Sequence, residues 1–235
     1  MDQTFNTRAV ILDRKDYRED DSRIVVFSQE RGKMGLVARG AKKLKSKLSG
    51  HIEPLTLSRL MVVKGKDIDY VGTAKGEEFY LDIRDDLFSL CWAGKAMKAL
   101  DDMTREGEEG DHGAVFSWIS DYLRLLPSVP GPKKEAFFWL ATMRLMALQG
   151  FGPDFGACSV CGNSEANVFS LIDKAVFCRS CLPGDLGDII AADRSLLDLL
   201  SSAANQSLSD MSKDEILDRV GMGACDFLEK IYNYH

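Results

Sequence analysis

The stretch "CSVCGNSEANVFSLIDKAVFCRSC", residues 158–181, contains the most specific pattern in the chain. Its cysteines form two C-x2-C pairs that are separated by sixteen residues. This spacing is typical of a four-thiolate zinc site, because two residues between paired cysteines make a tight turn that directs both sulfurs towards one ion. The predicted ligands of one Zn2+ ion are Cys158, Cys161, Cys178 and Cys181.

The residues between the two pairs predict a short hairpin. The apolar runs "VFSLI" and "AVFC" lie on either side of "DK", and Gly162 follows the first pair, where a turn needs a residue that tolerates positive φ. The whole pattern indicates a zinc ribbon. Because four cysteines fill every position around a tetrahedral ion, we expect the metal to stabilise the fold and to take no part in a reaction. Two disulfides or an iron–sulfur cluster are the alternatives for these cysteines.

Helical patterns flank the ribbon on both sides, with apolar residues recurring three and four positions apart. The predicted helices are 79–103, 114–126, 133–149 and 194–204, followed by a last helix that opens at the capping-box sequence "SKDE", residues 212–215, and continues to Ile231. The helix over 133–149 is apolar nearly all round and is predicted to be the central buried one. Cys91 and Cys225 fall on apolar helical faces, where we expect core packing.

The first 80 residues have the pattern of a small β-barrel. Short runs rich in Val, Ile, Leu and aromatic residues alternate with turn-forming sequences. The predicted strands are 7–13, 22–28, 34–39, 55–63 and 67–74. Five strands with no helix between most of them suit a barrel better than a β–α–β unit. The predicted fold class is therefore α+β and multidomain, with a barrel, an α-helical region and an inserted four-cysteine ribbon.

Charge is divided unevenly along the chain. Residues 1–80 contain 16 Lys/Arg and 12 Asp/Glu, whereas residues 81–235 contain 14 Lys/Arg and 24 Asp/Glu. Such asymmetry indicates an anion-binding region joined to a region with another role.

The most apolar run, "FFWLATM" at 137–143, is far shorter than the roughly 20 residues of a membrane span. With no secretory signal pattern, and cysteines that suggest a metal site, we expect a cytosolic protein.

A run of cations within the barrel region predicts a nucleic-acid interface. Between residues 31 and 47 the chain carries seven basic residues and no acidic one. Loops of small barrels commonly hold single strands, with cations along the phosphates and aromatic rings against the bases. The candidate phosphate-binding residues are Lys33, Arg39, Lys42, Lys43, Lys45 and Lys47. A solvated surface segment is the alternative interpretation.

Two further groups of residues belong to this prediction. Three glycines are expected to allow a close approach of the nucleic-acid backbone: Gly32, Gly35 and Gly40. Three aromatic residues are candidates for stacking on bases, although each suits a core position as well: Tyr17, Phe27 and Tyr70.

No pattern of an enzyme active site is present. The three histidines lie outside the zinc-protease and zinc-deaminase patterns, and the chain lacks both G-x-S-x-G and the P-loop. The acidic clusters at 19–21 and 106–112 are predicted to be solvated loops. A metal-dependent nuclease that uses these clusters is an alternative to a non-enzymatic binding protein.

Several short sequences together resemble the bacterial RecO family of DNA repair proteins. They are "AVIL" (9–12), "YRED" (17–20), "GKMG" (32–35), "RGAKK" (39–43), "KS" (45–46), "EP" (53–54) and the later C-x2-C pairs. The resemblance covers essentially the whole chain. It implies an N-terminal OB-fold β-barrel over residues 1–80, a helical domain over 81–153 and 187–235, and a zinc ribbon inserted at 154–186. Family members often have Gly-Gly where this chain has Lys174-Ala175, so the hairpin turn departs from the family pattern.

The resemblance also implies a function. RecO proteins are recombination mediators that bind single- and double-stranded DNA without strong sequence preference and anneal complementary strands. With RecR they load RecA onto strands coated by the single-stranded DNA-binding protein SSB, in the cytoplasm at the nucleoid. The implied DNA-binding residues are the cations given above, the implied cofactor is one structural Zn2+ ion, and the acidic remainder of the chain is expected to dock protein partners. An RNA- or ribosome-associated module is the alternative, since OB-folds with zinc ribbons also occur there.

Overall fold

The computed structural model describes residues 4–182 and 188–234, except for the side chains of Asp214 and Met222. The chain forms two compact units, residues 1–127 and 128–235. The first unit thus includes helices that follow the barrel, and the domain limits inferred from the sequence remain a prediction. The predicted limit between residues 186 and 187 lies outside the described residues.

The first unit contains the predicted β-barrel. Its strands are β1 (Thr4–Asp16), β2 (Ser22–Ser28), β3 (Gly32–Ala38), β4 (Leu57–Val63) and β5 (Asp69–Glu78). They close in the order β1-β2-β3-β5-β4, and β4 pairs with β1. All neighbouring strands are antiparallel except β3 and β5, which are parallel. This closed order of five strands confirms the predicted OB-fold barrel.

Alternating side chains of the strands fill the barrel. Ile24 and Val26 on β2, and Leu36 and Ala38 on β3, are buried in one hydrophobic cluster, as expected where every second residue of a strand faces the core. The segment after β3 adds Ala41 to the same cluster, with no exposed surface. Ala41 therefore anchors the segment that follows β3 to the barrel.

Three α-helices follow the barrel within the described part of the first unit. They are α1 (Leu81–Arg84), α2 (Leu87–Met103) and α3 (Gly113–Leu125), and 3-10 turns lie at Ser49–His51 and Leu126–Ser128. The predicted helix 79–103 is divided, because the Asp86 carboxylate accepts hydrogen bonds from the backbone N–H groups of Phe88 and Ser89 and starts a new helix. Cys91 is exposed on α2, so its predicted core position is wrong.

The second unit is built around α4 (Lys134–Leu148), which follows a 3-10 turn at Gly131–Lys133 and is buried over most of its length. The helices α5 (Arg194–Ala204), α6 (Leu208–Met211) and α8 (Met222–Asn233) contact it, and α7 (Asp214–Arg219) lies between α6 and α8 in the chain. These contacts confirm the prediction of a central helix at 133–149. Cys225 on α8 is buried, also as predicted. None of the described helices has the length and apolar character that crossing a membrane requires.

The predicted capping box at residues 212–215 is wrong. The Ser212 hydroxyl donates to a backbone carbonyl one turn earlier and does not cap α7. A preceding sequence of the same form, "SLSD" at 207–210, caps α6 instead. There the Ser207 hydroxyl accepts from the backbone N–H of Asp210 and donates to its carboxylate. The sequence contains two such matches close together, and the pattern alone does not distinguish them.

The predicted last helix is divided into two. Helix α7 ends at Arg219, and Gly221 is extended before α8 begins. Gly221 and Gly223 each disfavour a helix by about 1 kcal/mol relative to Ala, so this segment favours a break. The predicted start of α5 is confirmed, because the Asp193 carboxylate accepts from the backbone N–H of Ser195.

A three-stranded antiparallel sheet forms the ribbon region of the second unit. It contains β6 (Val168–Ser170), β7 (Ala175–Phe177) and β8 (Ile189–Ala191) in the order β7-β6-β8. The pair β6 and β7 confirms the predicted hairpin. Strand β8 lies outside that prediction, because a run of three residues is too short to show the alternation of a strand.

Candidate nucleic-acid interface and metal site

The basic loop, residues 39–47, leaves the end of β3 and is held by the loop between β1 and β2. The Lys42 backbone N–H donates to the Asp20 carbonyl at 2.9 Å. The Gly40 backbone N–H donates to the Asp21 carboxylate at 2.8 Å. The acidic cluster to which both aspartates belong lies in a loop with Glu19 and Asp20 exposed, as predicted, and it also anchors the basic loop.

Two lysines of the basic loop contact carboxylates of the same barrel. The Nζ of Lys42 lies 3.5 Å from an Asp16 oxygen, and its side chain is 28% exposed. The Nζ of Lys43 lies 3.4 Å from an Asp20 oxygen, and both side chains of this pair are more than half exposed. Exposed ion pairs of this kind contribute little free energy. Lys43 can therefore exchange its carboxylate for a phosphate at low cost.

Lys45 and Lys47 extend from the basic loop into solvent. Both residues are exposed, and neither forms an ion pair with any residue that the structure describes. Leu44 beside them is also fully exposed, so the tip of the loop does not pack on the barrel. These two ammonium groups are available to an external anion.

Lys33 does not belong to this exposed group. Its side chain is 15% exposed, and its Nζ lies 2.7 Å from the Asp101 carboxylate. The same Nζ donates to the backbone carbonyls of Asp101 at 2.7 Å and Thr104 at 3.2 Å, at the C-terminal end of α2. A cation here stabilises a helix end whose carbonyls carry partial negative charge. We therefore remove Lys33 from the predicted phosphate-binding residues, because it fastens α2 to β3.

Arg39, at the start of the basic loop, stacks on an aromatic ring of a neighbouring strand. Its guanidinium carbon lies 3.8 Å from the ring centre of Tyr70 on β5, which is a cation–π arrangement. Arg39 remains exposed, so the pair forms a flat cationic surface of the kind on which bases stack. Tyr17 is exposed as well. Phe27 is buried beside the ring of His112 and is a core residue, so it is not available for stacking on a base.

The glycines of β3 are approached by the protein itself. A Cβ on Gly32 would lie 2.8 Å from the ring of His112, and a Cβ on Gly35 would lie 2.8 Å from the Glu106 carboxylate. The segment that carries these two side chains therefore lies on the outer face of β3. Glu106 and His112 therefore occupy the space that was predicted for a nucleic-acid backbone. Residues 106–111 are exposed and form a loop, as predicted.

Two cations beside β3 share one aromatic ring. The guanidinium carbon of Arg31 lies 3.9 Å from the ring centre of Phe5, and the Nζ of Lys64 lies 6.0 Å from the same ring. Arg31 belongs to the basic run in the sequence. Lys64 follows β4 and is distant from that run in the sequence, so only the folded barrel shows that both cations lie beside Phe5.

The four cysteines of the ribbon form one cluster in the second unit. Their sulfurs all lie within 4.8 Å of one another. The Sγ of Cys178 is 3.5 Å from that of Cys161 and 3.7 Å from that of Cys158. A tetrahedral ion with sulfur ligands at about 2.3 Å separates them by about 3.8 Å, so these distances fit a four-thiolate site. The cluster can therefore hold a metal ion.

Backbone N–H groups favour the metal-binding form of Cys158. The backbone amide of Cys161 makes the largest contribution to lowering the pKa of the Cys158 thiol to about 6. The backbone N–H of Cys178 also donates to this sulfur, at 3.4 Å. Gly162 closes the turn after the first pair with φ of 73°, as predicted. These N–H groups stabilise the thiolate of Cys158, which is the form that binds metal.

The first cysteine pair is fastened to helix α5. Arg194 donates hydrogen bonds to the backbone carbonyls of Phe155 at 3.1 Å, Gly156 at 2.7 Å and Ala166 at 3.1 Å. These carbonyls lie just before the first cysteine pair and between the two pairs. A single guanidinium group therefore holds both sides of the ribbon to the helical part of the second unit.

Comparison with known proteins identifies relatives over the whole length of the chain. The family model described as "Recombination protein O N terminal" matches residues 1–80, and "Recombination protein O C terminal" matches residues 84–235. The chain is 31% identical to the DNA repair protein RecO of Desulforamulus reducens over 180 residues, which are 75% of this chain and 68% of that protein. It is 28% identical to the RecO protein of Syntrophomonas wolfei over 230 residues, which are 96% of this chain and 88% of that protein.

Proposed function

The chain belongs to the recombination protein O (RecO) family, and from this membership we propose that it is a recombination mediator in DNA repair. It binds single- and double-stranded DNA without strong sequence preference and anneals complementary strands. With RecR it loads RecA onto single strands coated by SSB, in the cytoplasm at the nucleoid. It catalyses no covalent reaction.

The observation that carries this proposal is one group of exposed cations on a barrel loop. The group consists of Arg39, Lys43, Lys45 and Lys47, and Lys42 beside them is paired with Asp16 and has a less exposed side chain. Loops of an OB-fold barrel are suited to single strands, because they follow the backbone with cations while leaving the bases accessible. Since the basic loop is hydrogen-bonded to the loop between β1 and β2, these charges are presented from an ordered backbone.

Annealing follows from the same charges. Two complementary strands repel each other because both are polyanions. The basic loop neutralises phosphates of one strand and releases their counterions, which lowers the repulsion that the second strand meets. No base-reading contact is required, because the two strands recognise each other by pairing. Stacking of a base on the Arg39–Tyr70 pair would hold the first strand without selecting its sequence.

We assign Zn2+ to the cysteine cluster of the second unit. Four thiolates are a zinc donor set, and they leave no position open for water or substrate, so the ion stabilises the ribbon. The test compares Cys161→Ser with Cys91→Ser, since Cys91 lies outside the cluster. Purified C161S should lose the single equivalent of zinc and melt at a lower temperature, whereas C91S should keep both properties. Full zinc content in C161S would reject this assignment.

The part of the chain after the barrel is proposed to dock proteins. Residues 81–235 carry 24 Asp/Glu and 14 Lys/Arg, so this part repels DNA more than it attracts it. RecR and the SSB tail are the partners that family membership suggests. Binding of the full-length chain to immobilised RecR, or to an SSB-tail peptide, tests this assignment directly.

The proposed function is tested by the rate at which the full-length protein anneals complementary oligonucleotides, with and without SSB. The variant K43A/K45A/K47A removes three cations of the basic loop, and K75A/K95A/K230A removes three exposed lysines outside it. The loop variant should anneal at least about tenfold more slowly, because three phosphate contacts are lost. The control should retain the wild-type rate. Equal annealing by all three proteins, or preferential binding of an RNA competitor, would overturn the proposal.

A further inference from the structure

The loop between α2 and α3, residues 105–112, covers a face of the barrel that OB-folds commonly use for oligonucleotides. This acidic loop carries four carboxylates and one arginine: Glu106, Glu108, Glu109, Asp111 and Arg105. In an OB-fold, the face of strands 2 and 3 and the loops between strands 1–2 and 4–5 form the usual binding surface. The acidic loop lies on β2 and β3 of this face, where a polyanion is expected.

Contacts with both strands hold the acidic loop in this place. An oxygen of Glu106 lies 3.7 Å from Nη2 of Arg23 on β2, and the Glu106 carboxylate lies over Gly35 on β3. At the other end of the loop, the ring of His112 packs edge-to-face on Phe27 of β2, with ring centres 6.1 Å apart. The carboxylate of Glu106 thus takes the position of an anion against the cationic face.

A cavity of about 440 Å³ separates the rest of the acidic loop from the barrel. The barrel side contains Phe5, Arg31 and Lys64, and also the acidic residues Glu30 and Asp69. Lys64 and Asp69 form an ion pair at 3.6 Å. The volume lies in the range of pockets that hold small organic ligands, and a ring with two cations beside it offers both a stacking surface and phosphate contacts.

The acidic loop is held weakly, unlike the helix before it. The side chains of Arg23 and Glu106 are 56% and 49% exposed, so their ion pair contributes little free energy. The end of α2, by contrast, is fastened through the half-buried Lys33. The loop can therefore leave the face while α2 stays in place.

We propose that this cavity and the adjoining face of β2 and β3 form a second surface for single-stranded DNA, which the acidic loop 105–112 occupies as an intramolecular competitor. The proposal rests on the proposed function, because it assumes that the barrel binds DNA. A strand first held by the basic loop displaces the carboxylates and gains Arg23, Arg31 and Lys64 as further contacts. The acidic loop weakens binding of short strands, which cannot engage both surfaces.

The test measures binding of a fluorescently labelled oligothymidylate to full-length variants at low salt. The variant E106Q/E109Q removes two charges of the acidic loop, and the control D82N/D85N removes two exposed charges on and beside α1. E106Q/E109Q should bind at least about threefold more tightly than the control, since each carboxylate lies close to the strand that replaces it. Equal affinity of these two variants would overturn the competitor role.

A second pair of measurements separates this inference from the proposed function. R31A/K64A should bind the oligonucleotide more weakly than wild type, and amide hydrogen exchange of residues 105–112 should become faster when DNA is added. Unchanged affinity of R31A/K64A, or unchanged exchange in the loop, would reject the second surface. If K43A/K45A/K47A binds as tightly as wild type, the proposed function itself fails. If that variant loses binding while the acidic-loop variants match their control, only this inference fails.

Discussion

The surroundings of each lysine on the barrel decide what its charge can bind. Lys33 lies among acceptors at the end of α2, where its charge already interacts with Asp101. Lys45 is exposed, with no ion-pair partner among the residues that the structure describes. The two lysines are equivalent in the sequence pattern, but one stabilises the first unit and the other is available to DNA.

A pair of substitutions should separate these two roles. K33M removes an ion pair with a carboxylate and hydrogen bonds to two carbonyls from a half-buried site, and should lower the free energy of unfolding by about 2 kcal/mol. K45M should leave stability unchanged and weaken binding of single-stranded DNA. Denaturant unfolding and DNA titration of both variants check this. If K33M is as stable as wild type but has lost DNA binding, Lys33 is a phosphate-binding residue after all.

Glu77 joins three strands of the barrel through its carboxylate. The Nε and Nη2 of Arg59 on β4 lie 3.0 and 2.8 Å from one oxygen, and the Nε of Arg8 on β1 lies 2.8 Å from the other. Hydrogen bonds from Arg59, followed by those from Arg8, lower the pKa of Glu77 below its ordinary value of 4.5. A carboxyl group with a lowered pKa in the folded state stabilises the fold when it is ionised.

E77Q should therefore destabilise the protein only where Glu77 is ionised. At neutral pH the loss should be on the order of 1 kcal/mol, because the site is partly open to solvent. The difference from wild type should stay constant above about pH 5 and shrink as the pH falls through the lowered pKa of Glu77. Unfolding curves across this range measure it, with E19Q, an exposed carboxylate without an ion pair among the described residues, as the control. A difference that grows towards acid pH would contradict this account.

At the scale of secondary-structure elements, the hairpin of the ribbon contains a residue in a conformation that favours glycine. Lys174, just before β7, has φ of 52°. A side chain in this left-handed region costs about 1 kcal/mol or more relative to glycine. This chain therefore forms the β6–β7 turn in the expected place, but with a less favourable residue.

Replacing Lys174 should show this cost. K174G should stabilise the second unit by about 0.5 to 1 kcal/mol relative to K174A, since both variants lose the lysine side chain but only glycine relieves the backbone. Thermal unfolding of the two variants is the measurement. Equal stability of K174G and K174A would mean that the backbone at this position carries no such cost.

Elements with a long or strictly patterned sequence could be predicted, and short ones could not. The five barrel strands, the central helix and the cysteine hairpin follow from periodicity and spacing. Strand β8 and the division of the last helix could not be predicted. Strand β8 pairs over only three residues, and the last helix is divided at glycines within an apolar pattern. At residues 212–215 the pattern predicts a cap, but the serine that caps a helix is that of the similar match five residues earlier.

In the whole molecule, the cationic barrel and the acidic helices that follow it belong to one compact unit. The charge division of the sequence predicts two separate regions. Residues 81–127 belong to the same compact unit as the barrel and contain ten Asp/Glu and five Lys/Arg. Part of this negative charge lies directly on the barrel, as Glu106 against Arg23 shows. The cationic surface open to DNA is therefore smaller than the count of basic residues suggests.

The candidate site could be predicted from the sequence where its residues are neighbours in the chain. The four cysteines and the exposed lysines of the basic loop are of this kind. Three other features arise only when strands and helices meet in space. They are the contacts of Lys33 with the end of α2, the position of Glu106 over Gly35, and the position of Lys64 beside Phe5. No local sequence pattern predicts such contacts, so this part of the site could be identified only from the structure.

The salt dependence of single-stranded DNA binding tests most directly whether the basic loop is the phosphate contact of this protein. The dissociation constant would be measured against salt concentration for wild type, K43A/K45A/K47A and K75A/K95A/K230A. The loop variant should bind more weakly, and its slope of log affinity against log salt should be flatter by about 2, since each lost phosphate contact removes about 0.7. The control should keep the wild-type slope. A loop variant with unchanged affinity and slope would show that the basic loop does not contact the phosphates.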